Sequence, residues 1–164
     1  MPVLQRSAED AYTSKRLGLD RSLFSERVYA SKDMQEWMKG NLYPGQGKRT
    51  WLAFFGSRMI GAITVKRYGR RNELRGFYIL PEFQGIGIGR LLVKKALEFS
   101  KGKEIILILY PHNLKSLAIY RGWGFRRFGG PGYHHWPTWP EGVRMKYIHM
   151  LLTKGGAGRL LKRL

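Results

Sequence analysis

Cysteine is absent from the 164 residues, which excludes a disulfide framework, thiolate metal ligands and a cysteine nucleophile. Acidic residues are scarce: 11 Asp and Glu stand against 30 Lys and Arg, a formal net charge of +19. No apolar stretch approaches the roughly 20 residues of a membrane-spanning helix. The N-terminus carries Glu9 and Asp10 with no apolar run behind it, unlike a secretory leader. A soluble, cytoplasmic protein is the expectation, and the length suits one domain with a core of its own.

The shortage of acid is uneven. Residues 1–36 carry six residues of each sign, so residues 37–164 hold 24 basic and only five acidic ones. A field of this kind favours anionic partners, whether a phosphate-rich cofactor, nucleic acid or acidic protein, and does not choose among them.

Along the chain, Ser7 with Asp10 three residues later reads as the start of a short helix that Gly18 closes, and Ser31 to Lys39 as a second one stopped by Gly40. "TWLAFF" and "MIGAITV" are strand-like runs joined by a hairpin connection at residues 56–58, and Glu73 to Leu80 is a further strand ended by Pro81. Leu91 to Lys101 has the apolar spacing of a half-buried helix, and the continuous run "EIILILY" reads as a central strand. A helix from about Leu114 to Arg121 and a last strand pair follow. The end, "GGAGRLLKRL", reads as a basic, frayed tail over residues 155–164.

Between the Glu73 strand and the next helix lies "FQGIGIGRLL". The spacing of Gly85, Gly87 and Gly89 fits neither a dinucleotide-binding fingerprint nor a P-loop, which needs Lys and Ser or Thr after the glycines. A loop of small residues entering a helix still exposes successive backbone N–H groups and the positive end of the helix dipole, an arrangement suited to pyrophosphate.

Gln84 to Gly89 matches the Q/R-x-x-G-x-G/A signature and resembles the GNAT superfamily of N-acetyltransferases. A second segment, "NLKSLAIYRGWGF" from Asn113 to Phe125, is similar to the family's N-x-x-small-x-x-x-Tyr-x-x-x-Gly-Phe run, with Ser116 at the small position. The resemblance is close over about Glu73 to Phe125. It implies one α/β domain over residues 1–154, in which a mixed, mostly antiparallel sheet is splayed at its centre and flanked by helices. It further implies acetyl transfer from acetyl-CoA to an amine.

Under this resemblance the strand end at Tyr78, Ile79 and Leu80 receives the pantetheine arm. Gln84, Gly85, Ile86, Gly87, Ile88 and Gly89 receive the pyrophosphate, and Arg90 adds charge. Asn113 and Ser116 contact the cofactor, and Tyr120 protonates the departing sulfur. Glu73 is the candidate base, with Glu82 more suited to the surface and His112 an alternative proton relay. Tyr133 and His134, in "GYHHWPTWPEG" with His135, Trp136 and Trp139, are candidate acceptor contacts or packing residues. His134 and His135 lack an acidic or cysteine partner at metal-ligand spacing, so no metal is expected. The acceptor is expected to be a protein N-terminus or lysine rather than a small cationic amine, which +19 would repel. A binding module for nucleic acid or the ribosome, built on the same fold, is the competing expectation.

Overall fold

The computed structural model describes residues 2–136, 139 and 141–164. Helices α1 (Pro2–Tyr12), α2 (Glu26–Ala30) and α3 (Lys32–Asn41) come first. Strands β1 (Lys48–Phe55), β2 (Arg58–Tyr68) and β3 (Arg71–Ile79) form an antiparallel meander. Then follow α4 (Ile88–Ser100), β4 (Glu104–Leu109), α5 (Leu114–Gly122), β5 (Arg126–His134), β6 (Met145–Leu152) and α6 (Lys154–Arg163). Among the described residues the six strands make one sheet in the order β1-β2-β3-β4-β6-β5, and no helix is long and apolar enough to cross a membrane.

Local chemistry accounts for these elements. Gly56 at φ +57 permits the two-residue β1–β2 turn. Ser31 caps α3 by accepting from the Met34 N–H at 3.4 Å. Leu92, Val93, Ala96 and Leu97 form the buried stripe of α4. That stripe packs with Ile63, Val65, Leu107 and Met150 on one face of the sheet. The other face carries α1 to α3 over an aromatic cluster that includes Phe24, Tyr29, Tyr110, Trp136 and Trp139.

The expected splay is present and has a structural cause. β3 and β4, the one parallel neighbour pair in the sheet, are joined only at Arg71 to Glu104, Asn72 to Ile105 and Glu73 to Ile106, and separate beyond. On its other side β3 carries a bulge, since Ala62 pairs with Tyr78 but Thr64 with Arg75. Gly76 sits in the bulge at φ +55, where a Cβ would come within 2.6 Å of Leu42 Cδ2. The bulge re-aims the end of β3 just where β4 leaves it.

Two expectations change. Ser7 does not open a helix: α1 already begins at Pro2, and the Ser7 hydroxyl donates to the Ile79 carbonyl at 2.9 Å. The tail expected to fray is α6, capped by Thr153 accepting from the Gly156 N–H at 3.1 Å, with Ala157 and Leu160 buried. Leu160→Ala is therefore expected to lower unfolding stability by about 2–5 kcal/mol in urea denaturation; a frayed tail would give no change.

Candidate active site

The separation of β3 and β4 opens a cleft of about 1460 Å³. Phe77 and Ile79 form its β3 wall, the 84–90 loop its rim, and Asn113 to Tyr120 its opposite wall. The Leu80 N–H donates to the Ile60 carbonyl at 2.9 Å, so the ladder alternation turns the Ile79 peptide groups away from β2 and toward the opening. The Ile79 carbonyl accepts from Ser7 and, at 3.0 Å, from Gln84 Nε2. Gln84 Oε1 accepts in turn from Lys115 Nζ. One side chain thus ties the loop to both β3 and α5.

Gly85 and Gly87 lie at φ +84 and +96, and a Cβ on either would meet nothing within 4 Å. Gly87 caps α4 without any side-chain bond, which leaves the first-turn amides of the helix without side-chain acceptors. Arg16, Arg90, Lys115 and Arg163 line the same cleft against a single carboxylate, the exposed Asp10. Arg90 is steadied by donating to the Arg163 carbonyl at 2.9 Å. Free amides, a helix N-terminus and four cations fit a diphosphate group.

Across the cleft, Asn113 Oδ1 accepts from the Ser116 N–H at 3.0 Å and so caps α5. This places Tyr120 almost two turns on, packed edge-on against Trp123 and Phe125 at ring separations of 5.8 and 5.4 Å. Tyr120 is 8% exposed, and burial holds its phenol far above the ordinary tyrosine range. Among the described residues no protein group bonds its hydroxyl. A protonated, unshared O–H therefore lies on the wall of the cleft.

The model of the GNAT acetyltransferase family matches residues 10–125. The chain belongs to this family. It is 35% identical over 78 residues to the N-alpha-acetyltransferase RimI of Mycobacterium tuberculosis, a match covering 45% of this chain and 49% of that one, about half of the relative's length. The fold resembles the PaiA N-acetyltransferase of Thermoplasma acidophilum in complex with coenzyme A (TM-score 0.59, 22% identity, 91% and 87% of the two chains covered). It also resembles the spermidine N-acetyltransferase of Vibrio cholerae in complex with CoA and spermine (TM-score 0.59, 22% identity, 87% and 88% covered).

Of the residues that the GNAT motifs single out, the cleft brings together Ile79, Gln84, Gly85, Ile86, Gly87, Gly89, Arg90, Asn113, Ser116 and Tyr120. Tyr78 and Leu80 instead turn their side chains into the core beneath α1, and Ile88 packs inward at the start of α4. Glu73 is not at the cleft. It sits where β3 and β4 are still paired, 7% exposed, with its carboxylate 2.8 Å from Arg75 Nη2. The ion pair with Arg75 and the paired strands on either side give Glu73 an architectural place outside the cleft.

Glu82 bridges Arg6 and Arg58 on the surface, as expected. His112 does line the cleft, with Nε2 3.3 Å from the Tyr12 carbonyl and its pKa lowered mainly by burial. Tyr133 and His134 do not line it. Tyr133 borders a shallow depression with His135 and Arg144. His134 lies half-buried beside Trp136, its pKa lowered by burial and by His135. Trp136 and Trp139 are core residues, stacked at 5.8 Å. Phe77, Arg16, Lys115 and Arg163 belong to the cleft but escaped sequence reading, since no local pattern marks chain segments that meet only in the fold.

Proposed function

We propose that this chain transfers the acetyl group of acetyl-CoA to the α-amine of a protein or peptide. One observation carries the reading: the β3–β4 cleft joins the glycine loop at the start of α4 to a protonated tyrosine within one cavity. Bound acetyl-CoA supplies an acetyl thioester, a group whose sulfur needs a proton as it leaves. The loop amides and Arg90 hold the diphosphate, the open edge at Ile79 orients the arm, and Tyr120 keeps a proton at Oη for the sulfur.

An amine attacks only when neutral. An α-amine, with pKa about 7.7–8.0, is partly neutral near pH 7, whereas a lysine near about 10.4 needs a strong base. Glu73, the one buried carboxylate among the described residues, is held by Arg75, and Asp10 is exposed. The likeness to an N-alpha-acetyltransferase supports the same acceptor class. The net charge of +19 disfavours a polyamine.

Incubation of the protein with acetyl-CoA and a panel of peptides, lysine-containing N-blocked peptides and spermidine tests this, with mass spectrometry locating the acetyl group. Acetylation of free N-termini is expected, with kcat/KM rising with pH and levelling above about 8 as the α-amine loses its proton. Acetylation confined to N-blocked peptides or to spermidine would overturn the acceptor assignment. A rate still climbing toward pH 10 would do the same.

A further inference from the structure

Tyr120 supplies a proton to the departing sulfur, and the attacking nitrogen must shed one as it bonds to carbon. Near neutral pH, two cleft-lining side chains among the described residues are able to accept it, Asp10 and His112. Asp10 is exposed, where water competes for it. His112 is partly buried against the rings of Tyr12 and Tyr110, each 6.3 Å from its own.

One hydrogen bond fixes where the His112 ring keeps its lone pair. Tyr12 is the last residue of α1, where helix carbonyls lack an intrahelical donor. His112 Nε2 stands 3.3 Å from the Tyr12 carbonyl oxygen. A carbonyl only accepts, so Nε2 carries the hydrogen and, in the neutral ring, Nδ1 carries the lone pair. Nδ1 has no hydrogen-bond partner among the described residues, yet it is not one of their enclosed unpartnered atoms. It therefore meets open space, and the space beside His112 is the cleft.

The charged and titratable groups around the ring are Arg16 from the Lys15–Leu17 turn, Asp10 and Tyr12 from α1, Tyr110 just before it, and Lys115 and Tyr120 from α5. Burial and Arg16 disfavour the imidazolium by more than the Tyr12 carbonyl favours it, which keeps the ring neutral near pH 7. Asn113 caps α5 beside His112, and about 10 Å of helix separates this cap from Tyr120. Helical side chains tilt toward the N-terminus, so Tyr120 leans back toward the end that carries His112. Its phenol lies within electrostatic reach of that of Tyr12, the residue whose carbonyl holds His112.

We propose that His112 is the catalytic base, its Nδ1 taking the proton of the attacking amine while Tyr120 serves the sulfur. The inference rests on acetyl transfer to an α-amine in the β3–β4 cleft. The amine arrives neutral. As its nitrogen bonds to the acetyl carbon, one N–H proton passes to Nδ1, the C–S bond breaks, and the Tyr120 proton passes to the sulfur. The amide and the thiol depart, and the imidazolium returns its proton to the Tyr120 phenolate through water in the cleft, so no net proton is gained or lost. An imidazole held below the ordinary histidine range suits a nitrogen already bonding to carbon, and is too weak to strip a lysine ammonium.

His112→Gln tests this in the full chain, because a glutamine amide still donates to the Tyr12 carbonyl but offers no base. With a peptide acceptor at saturation, turnover is expected to fall about 10²-fold, the lower end for a general base because an α-amine needs little help. Calorimetry should give unmodified acetyl-CoA affinity. His112→Ala should recover turnover with added imidazole, in proportion to the neutral imidazole present, whereas a residue that only packs the loop gives no such recovery. In the unmodified chain without acceptor, long-range proton–nitrogen NMR of the His112 ring should show hydrogen on Nε2 and a bare Nδ1.

Unmodified turnover in His112→Gln, with chemistry shown to limit the rate, would overturn the assignment. Hydrogen on Nδ1, or a His112→Ala chain that imidazole leaves inactive, would do the same. Acetylation only of lysine or spermidine by the unmodified chain is a different failure, that of the α-amine reading. The ring tautomer, and imidazole recovery measured on that other acceptor, then still decide for or against His112.

Discussion

Tyr120→Phe is expected to lower turnover by about 10²–10⁴-fold while leaving acetyl-CoA affinity nearly unchanged. The loss corresponds to about 3–5 kcal/mol in barrier at 1.36 kcal/mol per tenfold. The ring is kept, and with it the edge-on contacts to Trp123 and Phe125. The hydroxyl bonds to no other protein group among the described residues, so its removal breaks no structural bond and the fold should hold. What is lost is a proton that any phenol carries through the neutral range and that burial holds more firmly still. Steady-state kinetics on a peptide acceptor, paired with calorimetry of acetyl-CoA binding, separates the two effects. A loss mainly in cofactor affinity would make Tyr120 a binding residue. Unchanged turnover, with chemistry shown to limit the rate, would mean that water protonates the sulfur.

Tyr120 was legible in the sequence because its position depends on one helix. Asn113 caps α5, and a fixed count of residues then determines which side chains face the cleft. The glycine loop was legible for a similar reason, since Gly85 and Gly87 occupy backbone conformations that few other residues adopt. A count back along the strand from Gln84 does not bring Glu73 to the cleft, because it assumes an undisturbed β3. The bulge at Gly76 and the end of β3–β4 pairing after Glu73 arise from contacts with α3 and β4. No window of sequence around Glu73 encodes them.

Helix α6 was hidden by its own composition. Three glycines in "KGGAG" lower helix propensity, yet Gly156 is required where the helix crosses Leu152, whose Cδ1 would lie 2.8 Å from a Cβ. Packing of Ala157 and Leu160 outweighs the propensity. The start of α1 did carry a signal, since Pro2 is well suited to the first turn of a helix. Ser7, taken for the cap, proved to be a side chain that binds the end of β3.

Gly87→Val is expected to abolish measurable acetyl-CoA binding in a protein that remains folded. Gly87 has φ +96 and ψ −11 at the N-cap of α4, a region that a β-branched residue avoids at a cost of about 1–3 kcal/mol. A Cβ there meets nothing within 4 Å, so no core atom is displaced and the strain is relieved locally, by rotation of the peptide groups flanking residue 87. Those groups adjoin the free amides of the first turn of α4, and the rotation turns them out of the cleft. Two lost hydrogen bonds to a charged diphosphate, at about 1.5–3 kcal/mol each, correspond to about 10²–10⁴-fold in affinity. Gly142→Val separates strain from site: Gly142 has φ +83 with equally open surroundings, lies in the β5–β6 connection, and should lower thermal stability without touching affinity. Gly89→Ala acts by another route, since its Cβ would come within 3.2 Å of Phe77 Cζ and Ile79 Cδ1, so that the tips of these two cleft side chains must give by a few tenths of an ångström. Calorimetry giving unmodified affinity for a folded Gly87→Val protein would remove the glycine loop from the cofactor site and leave the cations at Arg16, Arg90, Lys115 and Arg163 to hold the diphosphate.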